Sequence, residues 1–168
     1  SNVKVSSRAS IYDASKISID DNSRIDDFCV LSGKVTVGKN VHIAVHCNLA
    51  GGELGITLSD FSGLAYNCNI FTQSDDYSGN TLTNPTVPKI FKNEISKKVL
   101  IGRHVIIGVG SVIFPGVHVA DGCSIGAMTM VTKNTEEWAI YFGMPARKIK
   151  NRSKKLLELE KKYLDTIN

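Results

Sequence analysis

Residues 101–133 read IGRHVIIGVGSVIFPGVHVADGCSIGAMTMVTK, and every sixth residue from the first is aliphatic. These positions are Ile101, Ile107, Ile113, Val119, Ile125 and Val131. A helix repeats every 3.6 residues and an ordinary strand every two, so neither fits this stretch. A period of six is the signature of a hexapeptide β-helix, in which each unit forms one short strand and one turn. Three units therefore complete one coil, and successive coils stack at about 4.8 Å.

The same period runs through earlier parts of the chain. It selects fifteen positions in all, every one Ile, Leu or Val; those before residue 101 are Ile19, Ile25, Leu31, Val37, Ile43, Leu49, Leu58, Leu64 and Ile70. The phase shifts by three at the glycine-rich residues 51–55. Because one coil cannot bury enough apolar surface by itself, such coils must stack to form a core.

The period is lost in a polar segment that contains Pro85 and Pro88. A long interruption of a compact repeat usually carries function, so we expect a loop excursion at about residues 75–100. Near the C-terminus an apolar stripe returns at helical spacing. The sequence thus predicts an all-β, parallel β-helix domain over residues 1–150 and a C-terminal α-helix over residues 151–168.

Composition and charge narrow the classes of partner. The chain of 168 residues is 42% hydrophobic and carries a net charge of +4, with eight Lys and Arg residues between Arg147 and Lys162. Such a cluster suits nucleic acid, an acidic membrane or a phosphorylated small molecule, and it also occurs on ordinary solvated helices. Because only 7% of the residues are aromatic and no nucleic-acid-binding motif is recognisable, we expect no nucleic-acid partner.

No targeting or membrane signal stands out. There is no apolar run of about 20 residues, so we expect no membrane insertion. No basic and then apolar segment opens the sequence, which predicts a cytoplasmic protein. The cysteines, Cys29, Cys47, Cys68 and Cys123, form no CxxC pair. They occupy a repeat position that favours small inward side chains, so we expect neither disulfides nor a metal site.

Five short motifs relate the chain to a known family. They are residues 101–108 (IGRHVIIG), 115–117 (PGV), 125–127 (IGA), 131–133 (VTK) and 143–147 (GMPAR). The whole chain resembles the hexapeptide-repeat acyltransferases, and within them the galactoside, maltose and polysaccharide O-acetyltransferase branch. The resemblance implies a left-handed β-helix, a homotrimer with active sites in the clefts between subunits, and acetyl-CoA as acyl donor without a metal.

The resemblance also implies which residues meet the donor. In the family, backbone groups at the coil edges bind the pantetheine arm, and basic residues near the C-terminus meet the phosphates. By motif, these roles fall on Val109, Ala127, Thr132, Lys133, Arg147 and Lys150. Arg and Lys are suitable phosphate ligands, and the charge cluster lies in the same part of the chain.

The catalytic residue is less directly indicated. Acyl transfer benefits from a general base, most often His, and the related enzymes place one where the long loop leaves the coil. Asp75 occupies that position here, so either a carboxylate serves or another His does. The catalytic candidates are therefore His46, His42 and Asp75, with a neighbouring subunit able to bring a His to Asp75. By the same resemblance, Glu53, Asp76 and Tyr77 are candidates for binding the acceptor.

The predicted function is transfer of an acetyl group from acetyl-CoA to a hydroxyl or amine of a sugar or nucleotide-linked sugar, in surface polysaccharide synthesis. One alternative is a non-catalytic trimeric scaffold on the same β-helix. Another is a γ-type carbonic anhydrase, which needs three His around zinc. The four His of this chain, His42, His46, His104 and His118, lack that pattern.

Overall fold

The computed structural model describes residues 2–167, and three parallel sheets wrap around one axis in it. Two 3-10 turns lie at Ala14–Lys16 and Lys89–Phe91. The strands, in chain order, are β1 (Lys4–Val5), β2 (Ser10–Ile11), β3 (Ile17–Ile19), β4 (Arg24–Ile25), β5 (Val30–Ser32), β6 (Val35–Val37), β7 (His42–Ile43), β8 (Asn48–Ala50), β9 (Ile56–Leu58), β10 (Gly63–Leu64), β11 (Asn69–Phe71), β12 (Gln73–Ser74), β13 (Ile95–Ser96), β14 (Val99–Ile101), β15 (Ile106–Ile107), β16 (Val112–Ile113), β17 (His118–Val119), β18 (Ser124–Ile125), β19 (Met130–Val131), β20 (Ala139–Phe142) and β21 (Arg147–Asn151).

Apart from the antiparallel pairs β12–β13 and β20–β21, each strand pairs in parallel with the strand one coil away, which is the arrangement that a three-sided β-helix requires. Face A has the order β1-β4-β7-β10-β15-β18-β20-β21, face B holds β2, β5, β8, β11, β16 and β19, and face C holds β3, β6, β9, β14 and β17. We name the turns between faces corner AB, corner BC and corner CA. Corner AB includes residues 44–47, 108–111 and 126–129; corner BC includes 51–55, 114–117 and 132–135; corner CA includes 59–62, 102–105 and 120–123.

The core is the column of residues that the six-residue period selects. From Ile25 to Val131 the selected residues are 0–2% exposed, and corresponding residues stack, as Ile43 does on Ile25 and Leu64 on Ile43. Full burial of each such side chain contributes about 1.5–3 kcal/mol. The first coil is more open, with Val5 42% exposed, because it packs against another coil of the described chain on only one side. The six-residue aliphatic period therefore explains both which residues form the core and why the coils stack along one axis.

The cysteines act as small core residues. Cys29, Cys47 and Cys68 are buried at corner AB, and the thiols of the first two donate to carbonyl oxygens one coil further on, those of Ala44 and Ala65, each at 3.0 Å. All four cysteines are free thiols.

The segment that lacks the period leaves the β-helix at corner BC. Strands β12 and β13 pair antiparallel at its base, with Gln73 opposite Ser96 and Ser74 opposite Ile95. Between them the chain extends outwards, and β14 then rejoins face C beside β9. We call residues 75–98 the arm.

The C-terminal helix, α1, spans Leu156–Ile167, so it begins later than residue 151, where the sequence analysis started it. Residues 147–151 instead form β21, which runs antiparallel to β20. The chain stays extended because Arg152 reaches the carbonyl oxygens of His104 and Gly122, at 2.7 Å and 3.0 Å. The predicted helix also included Asn168, which lies outside the described residues.

Helix α1 packs against corner CA. Glu160 accepts a hydrogen bond from Nε2 of His104 at 2.7 Å and pairs with Arg103, while the hydroxyl of Tyr163 donates to Oδ1 of Asn40 at 3.1 Å. Burial, followed by the cationic Arg103 and Arg152, lowers the pKa of His104, which favours a neutral ring. Within residues 2–167, no helix is both long and apolar enough to span a bilayer.

Close stacking makes a clear prediction about Gly51 at corner BC. A Cβ on Gly51 would overlap the carbonyl oxygen of Lys34 in the preceding coil, whereas a Cβ on Gly63 would meet only ordinary contacts at 3.5 Å and 3.8 Å. Gly51→Ala should lower the free energy of unfolding by about 1–3 kcal/mol. Gly63→Ala, the matched control, should leave it unchanged or raise it by about 0.4–1 kcal/mol. Urea denaturation measures both, and equal stability of the two variants would contradict the stacking.

Candidate active site

A cavity of about 440 Å³ lies between the base of the arm and corner BC. Its lining residues come from three successive levels of the molecule: the arm, the coil of β16 and the coil of β19. They are Ser74, Asp75, Asp76, Tyr77, Ser78, Ile95, Phe114, Pro115 and Thr132. The cavity therefore brings together the predicted base Asp75, the predicted acceptor residues Asp76 and Tyr77, and the predicted donor residue Thr132.

The two neighbouring carboxylates have different surroundings. Oδ2 of Asp75 accepts a hydrogen bond from the backbone N–H of Asn84 at 3.2 Å. Oδ1 of Asp75 has no hydrogen-bond partner among residues 2–167. Both oxygens of Asp76 are engaged by the arm, through the N–H of Ser78 at 2.8 Å and the hydroxyl of Thr81 at 3.4 Å. The hydrogen bonds from Ser78 lower the pKa of Asp76, so this carboxylate is held in its charged form.

One side of the cavity is apolar. Phe114 and Pro115 form it together with Ile95, and the ring of Phe114 packs against that of Phe71 with centroids 5.2 Å apart. Tyr77 is 91% exposed, so it stands at the rim. The site thus combines a carboxylate with an unused oxygen and a surface that accepts apolar groups.

A second, smaller cavity of about 40 Å³ adjoins the first through Thr132, which lines both. Lys133 and Arg147 line it as well, together with Tyr141 and Ala146. Three of the predicted donor residues are therefore neighbours at the C-terminal end of the β-helix. Lys150 lies on β21 opposite Ile140 and is exposed.

The other two predicted donor residues lie elsewhere in the chain. Val109 and Ala127 are at corner AB in adjacent coils, where the carbonyl oxygen of Val109 accepts from the N–H of Met128 at 2.8 Å. Val109 is 42% exposed, and neither residue lines the two cavities at corner BC. A single chain therefore presents its predicted donor contacts on two different corners.

The candidate histidines also lie apart from Asp75. His42 is on face A, where its Nε2 is 2.8 Å from Oδ2 of Asp26. His46 is at corner AB and stacks on Phe28, with ring centroids 5.1 Å apart. Neither lines the cavity that contains Asp75. Within one chain, the structure does not bring these histidines and Asp75 together.

The predicted acceptor residue Glu53 lies at corner BC, one coil before the arm. Its carboxylate pairs with Nζ of Lys16 at 2.9 Å, which lowers the pKa of Glu53 and raises that of Lys16. The preceding residue, Gly52, lies beside Thr72 at the base of the arm. A Cβ added at Gly52 would be 3.0 Å from the Thr72 hydroxyl oxygen. Glu53 is therefore near the base of the arm but outside the cavity that Asp75 lines.

Comparisons with known proteins identify relatives that cover nearly the whole chain. No family model matches it. It is 43% identical over 162 residues to the dTDP-4-amino-4,6-dideoxy-D-glucose acyltransferase of Escherichia coli, covering 95% of this chain and 84% of that one. A relative at this level, aligned over this share of both chains, decides the family. The chain belongs to the hexapeptide-repeat family of acyltransferases.

Solved structures agree with this acyltransferase assignment. AntD, an N-acyltransferase from Bacillus cereus in complex with dTDP and 3-hydroxybutyryl-CoA, has a TM-score of 0.98 at 48% identity, covering 99% of this chain and 89% of that chain. A serine-to-alanine variant of AntD, in complex with dTDP-4-amino-4,6-dideoxyglucose and coenzyme A, has a TM-score of 0.95 at 48% identity. The alignment covers 96% of this chain and 87% of that chain. The predicted left-handed β-helix and the predicted enzyme class are thereby confirmed.

Sequence reasoning missed the apolar side of the candidate cavity. A signal was present: the residue after each repeat aliphatic is mostly small, and Phe114 is the large exception among Gly102, Gly108, Ala120 and Gly126. Its size projects it over the base of the arm. Ile95 gave no signal, because its position depends on how the arm returns to the β-helix.

The part of the chain that the structure describes contains no group of three His, Cys, Asp or Glu side chains arranged to hold a metal ion.

Proposed function

We propose that this acyltransferase moves an acyl group from acyl-CoA to the amino group of a nucleotide-linked amino sugar, with dTDP as the nucleotide. The observation that carries the proposal is the cavity that Asp75 lines together with Thr132, to which no histidine among residues 2–167 of the same chain contributes. Two relatives that are aligned over nearly the whole chain support it, since their names specify a dTDP-linked amino sugar. A part in surface polysaccharide synthesis stays a prediction.

The carboxylate favours an amine over a hydroxyl as the acceptor. A hydroxyl is a poor nucleophile until a base removes its proton, a task for which His is the usual residue. A neutral amine is already nucleophilic, and its proton becomes acidic only after it has attacked the carbonyl. A carboxylate such as Asp75 is then a sufficient base. The carboxylate therefore supports nitrogen as the acceptor atom, where the sequence left transfer to oxygen and to nitrogen both open.

Acyl transfer to the amine proceeds by addition to the thioester and then elimination of the thiolate. The amine nitrogen attacks the thioester carbonyl carbon, forming the C–N bond while the carbonyl π electrons move to oxygen. Asp75 accepts the proton that the nitrogen loses, through its unused Oδ1. The oxygen electrons then re-form the carbonyl while the C–S bond breaks, and the leaving thiolate takes up the proton from Asp75 to give free CoA. Asp76 holds the turn of the arm, and with Tyr77 at the rim it lies where the sugar would enter.

The location of the predicted donor residues supports an active site between subunits. Thr132 and Lys133 are at corner BC, whereas Val109 and Ala127 are at corner AB. A linear donor can touch both sets if corner AB of one subunit faces corner BC of another, and in a homotrimer this happens three times by symmetry. The same arrangement would bring His46 of one subunit, with His42 nearby, towards Asp75 and Glu53 of the next.

A cytoplasmic location also stays a prediction. The four cysteines are free, which is typical of proteins in a reducing compartment. Lys133 and Arg147, which line the second cavity, and Lys150 on β21 are suited to the phosphates of the donor.

Removing the carboxylate tests the proposed base. Asp75→Asn should lower kcat for CoA release with dTDP-4-amino-4,6-dideoxyglucose by about 10²- to 10⁴-fold, because the amide cannot accept the proton. The variant should bind CoA as the wild type does, by calorimetry. His46→Gln and His42→Gln, made in parallel, test the alternative base. A loss of kcat in either of these two variants, with Asp75→Asn active, would transfer the role to a histidine.

Mixing two inactive variants tests whether the site is shared between subunits. Ala127→Trp should block the donor at corner AB, and Asp75→Asn should stop proton transfer at corner BC. Random mixed trimers of equal parts would rebuild about one quarter of the sites from two intact corners, and so about a quarter of the activity. If co-expressed subunits form trimers by sedimentation and recover no activity, the two corners do not meet across an interface.

The basic residues should matter for donor affinity alone. The double variant Arg147→Met/Lys150→Met should weaken CoA binding by about 10-fold, or about 1.4 kcal/mol, because charged contacts to phosphate are lost. Lys161→Met/Lys162→Met on helix α1 is the matched control with the same loss of charge. Calorimetry at two salt concentrations measures both. Equal weakening by the two pairs would mean that net charge, rather than a phosphate contact, sets the affinity.

A further inference from the structure

The arm contains a lysine side chain in unusual surroundings. No residue from 73 to 98 is buried as a whole, and Ile90 and Phe91 are 84% and 53% exposed. The side chain of Lys92 is nevertheless only 4% exposed. Lysine is almost never buried unless it is paired, because its ammonium loses water. The arm has no apolar core that this burial would serve, so the surroundings of the ammonium need another explanation.

The ammonium of Lys92 joins two parts of the arm. It donates to the backbone carbonyl oxygen of Asn84 at 2.8 Å and pairs with the carboxylate of Glu94. The hydrogen bond from Lys92 to Glu94 lowers the pKa of Glu94, as expected for an ion pair. Nearby, the N–H of Leu82 donates to the carbonyl oxygen of Phe91 at 3.0 Å. The outgoing and returning halves of the arm are therefore fastened together around Lys92.

Asn84 links the hydrogen bonds of Lys92 to the carboxylate of Asp75 in the candidate site. Its carbonyl oxygen accepts from Lys92, while its N–H donates to Oδ2 of Asp75 at 3.2 Å. Asn84 has a φ of 71°, a left-handed conformation that is unusual for residues other than glycine. Its own side chain accepts from the N–H of Thr86 at 3.0 Å. Asn84 is thus held from both sides in the one conformation that directs its N–H to Asp75.

We propose that Lys92 is a positioning residue for acyl transfer, acting through Asn84 to orient Asp75 in the cavity. The proposal rests on the proposed function only in taking Asp75 as the proton acceptor. Fixing Oδ2 with the Asn84 N–H leaves Oδ1 for the amine. A carboxylate free to rotate would spend part of its time turned away from the reacting nitrogen, and misplacement of about 1 Å can cost about 100-fold in rate.

Kinetics of Lys92→Met separate positioning from folding. This variant keeps the length of the apolar stem and loses the ammonium. It should lower kcat by about 10- to 100-fold while leaving KM for acyl-CoA within about 2-fold, because Lys92 does not line the cavity. Lys92→Arg should restore part of kcat by keeping a donor to the Asn84 carbonyl. Lys98→Met, the loss of an exposed lysine from the same arm, is the matched control and should behave as the wild type.

A double-mutant cycle tests whether the effect passes through Asp75. If Lys92 acts by orienting that carboxylate, Lys92→Met should cost little further rate once Asp75→Asn has removed it. Additive losses would mean that Lys92 affects the arm independently of Asp75, and they would overturn the proposal. Wild-type kcat in Lys92→Met, with the wild type active, would overturn it as well.

Hydrogen exchange gives a test that does not require the reaction. In Lys92→Met the backbone amide of Asn84 should exchange at least 10-fold faster than in the wild type and in Lys98→Met, because its conformation is released. An unchanged Asn84 exchange rate would overturn the positioning role whether or not transfer is observed. Absence of transfer by the wild type to any nucleotide-linked amino sugar would overturn the proposed function instead.

Discussion

Each coil of this protein hydrogen-bonds to the next through three short strands, and this pairing at about 4.8 Å constrains everything else in the molecule. The strands stay in register because successive core positions are six residues apart and because extra residues, those at 51–55 and in the arm, leave the repeat at a corner. The aliphatic column and the small corner residues follow from this constraint. Gly33 and Gly51, where an added Cβ would meet backbone atoms of the neighbouring coil, illustrate how little space remains. A scaffold with so little freedom cannot carry a deep active site inside it. Chemistry must be placed at the corners or on a segment that leaves the repeat.

The arm is that segment. It departs where face B ends and returns to face C, and in doing so it places Asp75 above Phe114 and Thr132 of the next coils. In the proposed active site, the rigid repeat supplies a fixed edge for the donor and the arm supplies the carboxylate. Because the arm has no core, its shape depends on a few polar contacts, those of Asp75, Asp76 and Lys92 among them.

What was predictable from the sequence follows from the same division. The six-residue period is a direct imprint of backbone geometry, so the aliphatic positions from Ile25 to Val131 and the acyltransferase family could be predicted, and the cavity does hold Asp75, Asp76, Tyr77 and Thr132. Asn151, the last residue of β21, was assigned to the helix because nothing local in the sequence marks the end of that strand. The Asn84 and Lys92 contacts gave no signal, since they join positions that only the folded arm brings together. The distance of His42 and His46 from Asp75 likewise depends on which corner each turn occupies.

We have proposed that the cavity beside Thr132 serves an amine on a nucleotide-linked sugar. Mass spectrometry of the products, after incubation with acyl-CoA and either dTDP-4-amino-4,6-dideoxyglucose or dTDP-glucose, distinguishes an amine from a hydroxyl acceptor. We expect one acyl group on the amino sugar, with stoichiometric free CoA, and unmodified dTDP-glucose at the same enzyme concentration. Acylation of the hydroxyl sugar at an equal or greater rate would mean that the cavity does not select an amine.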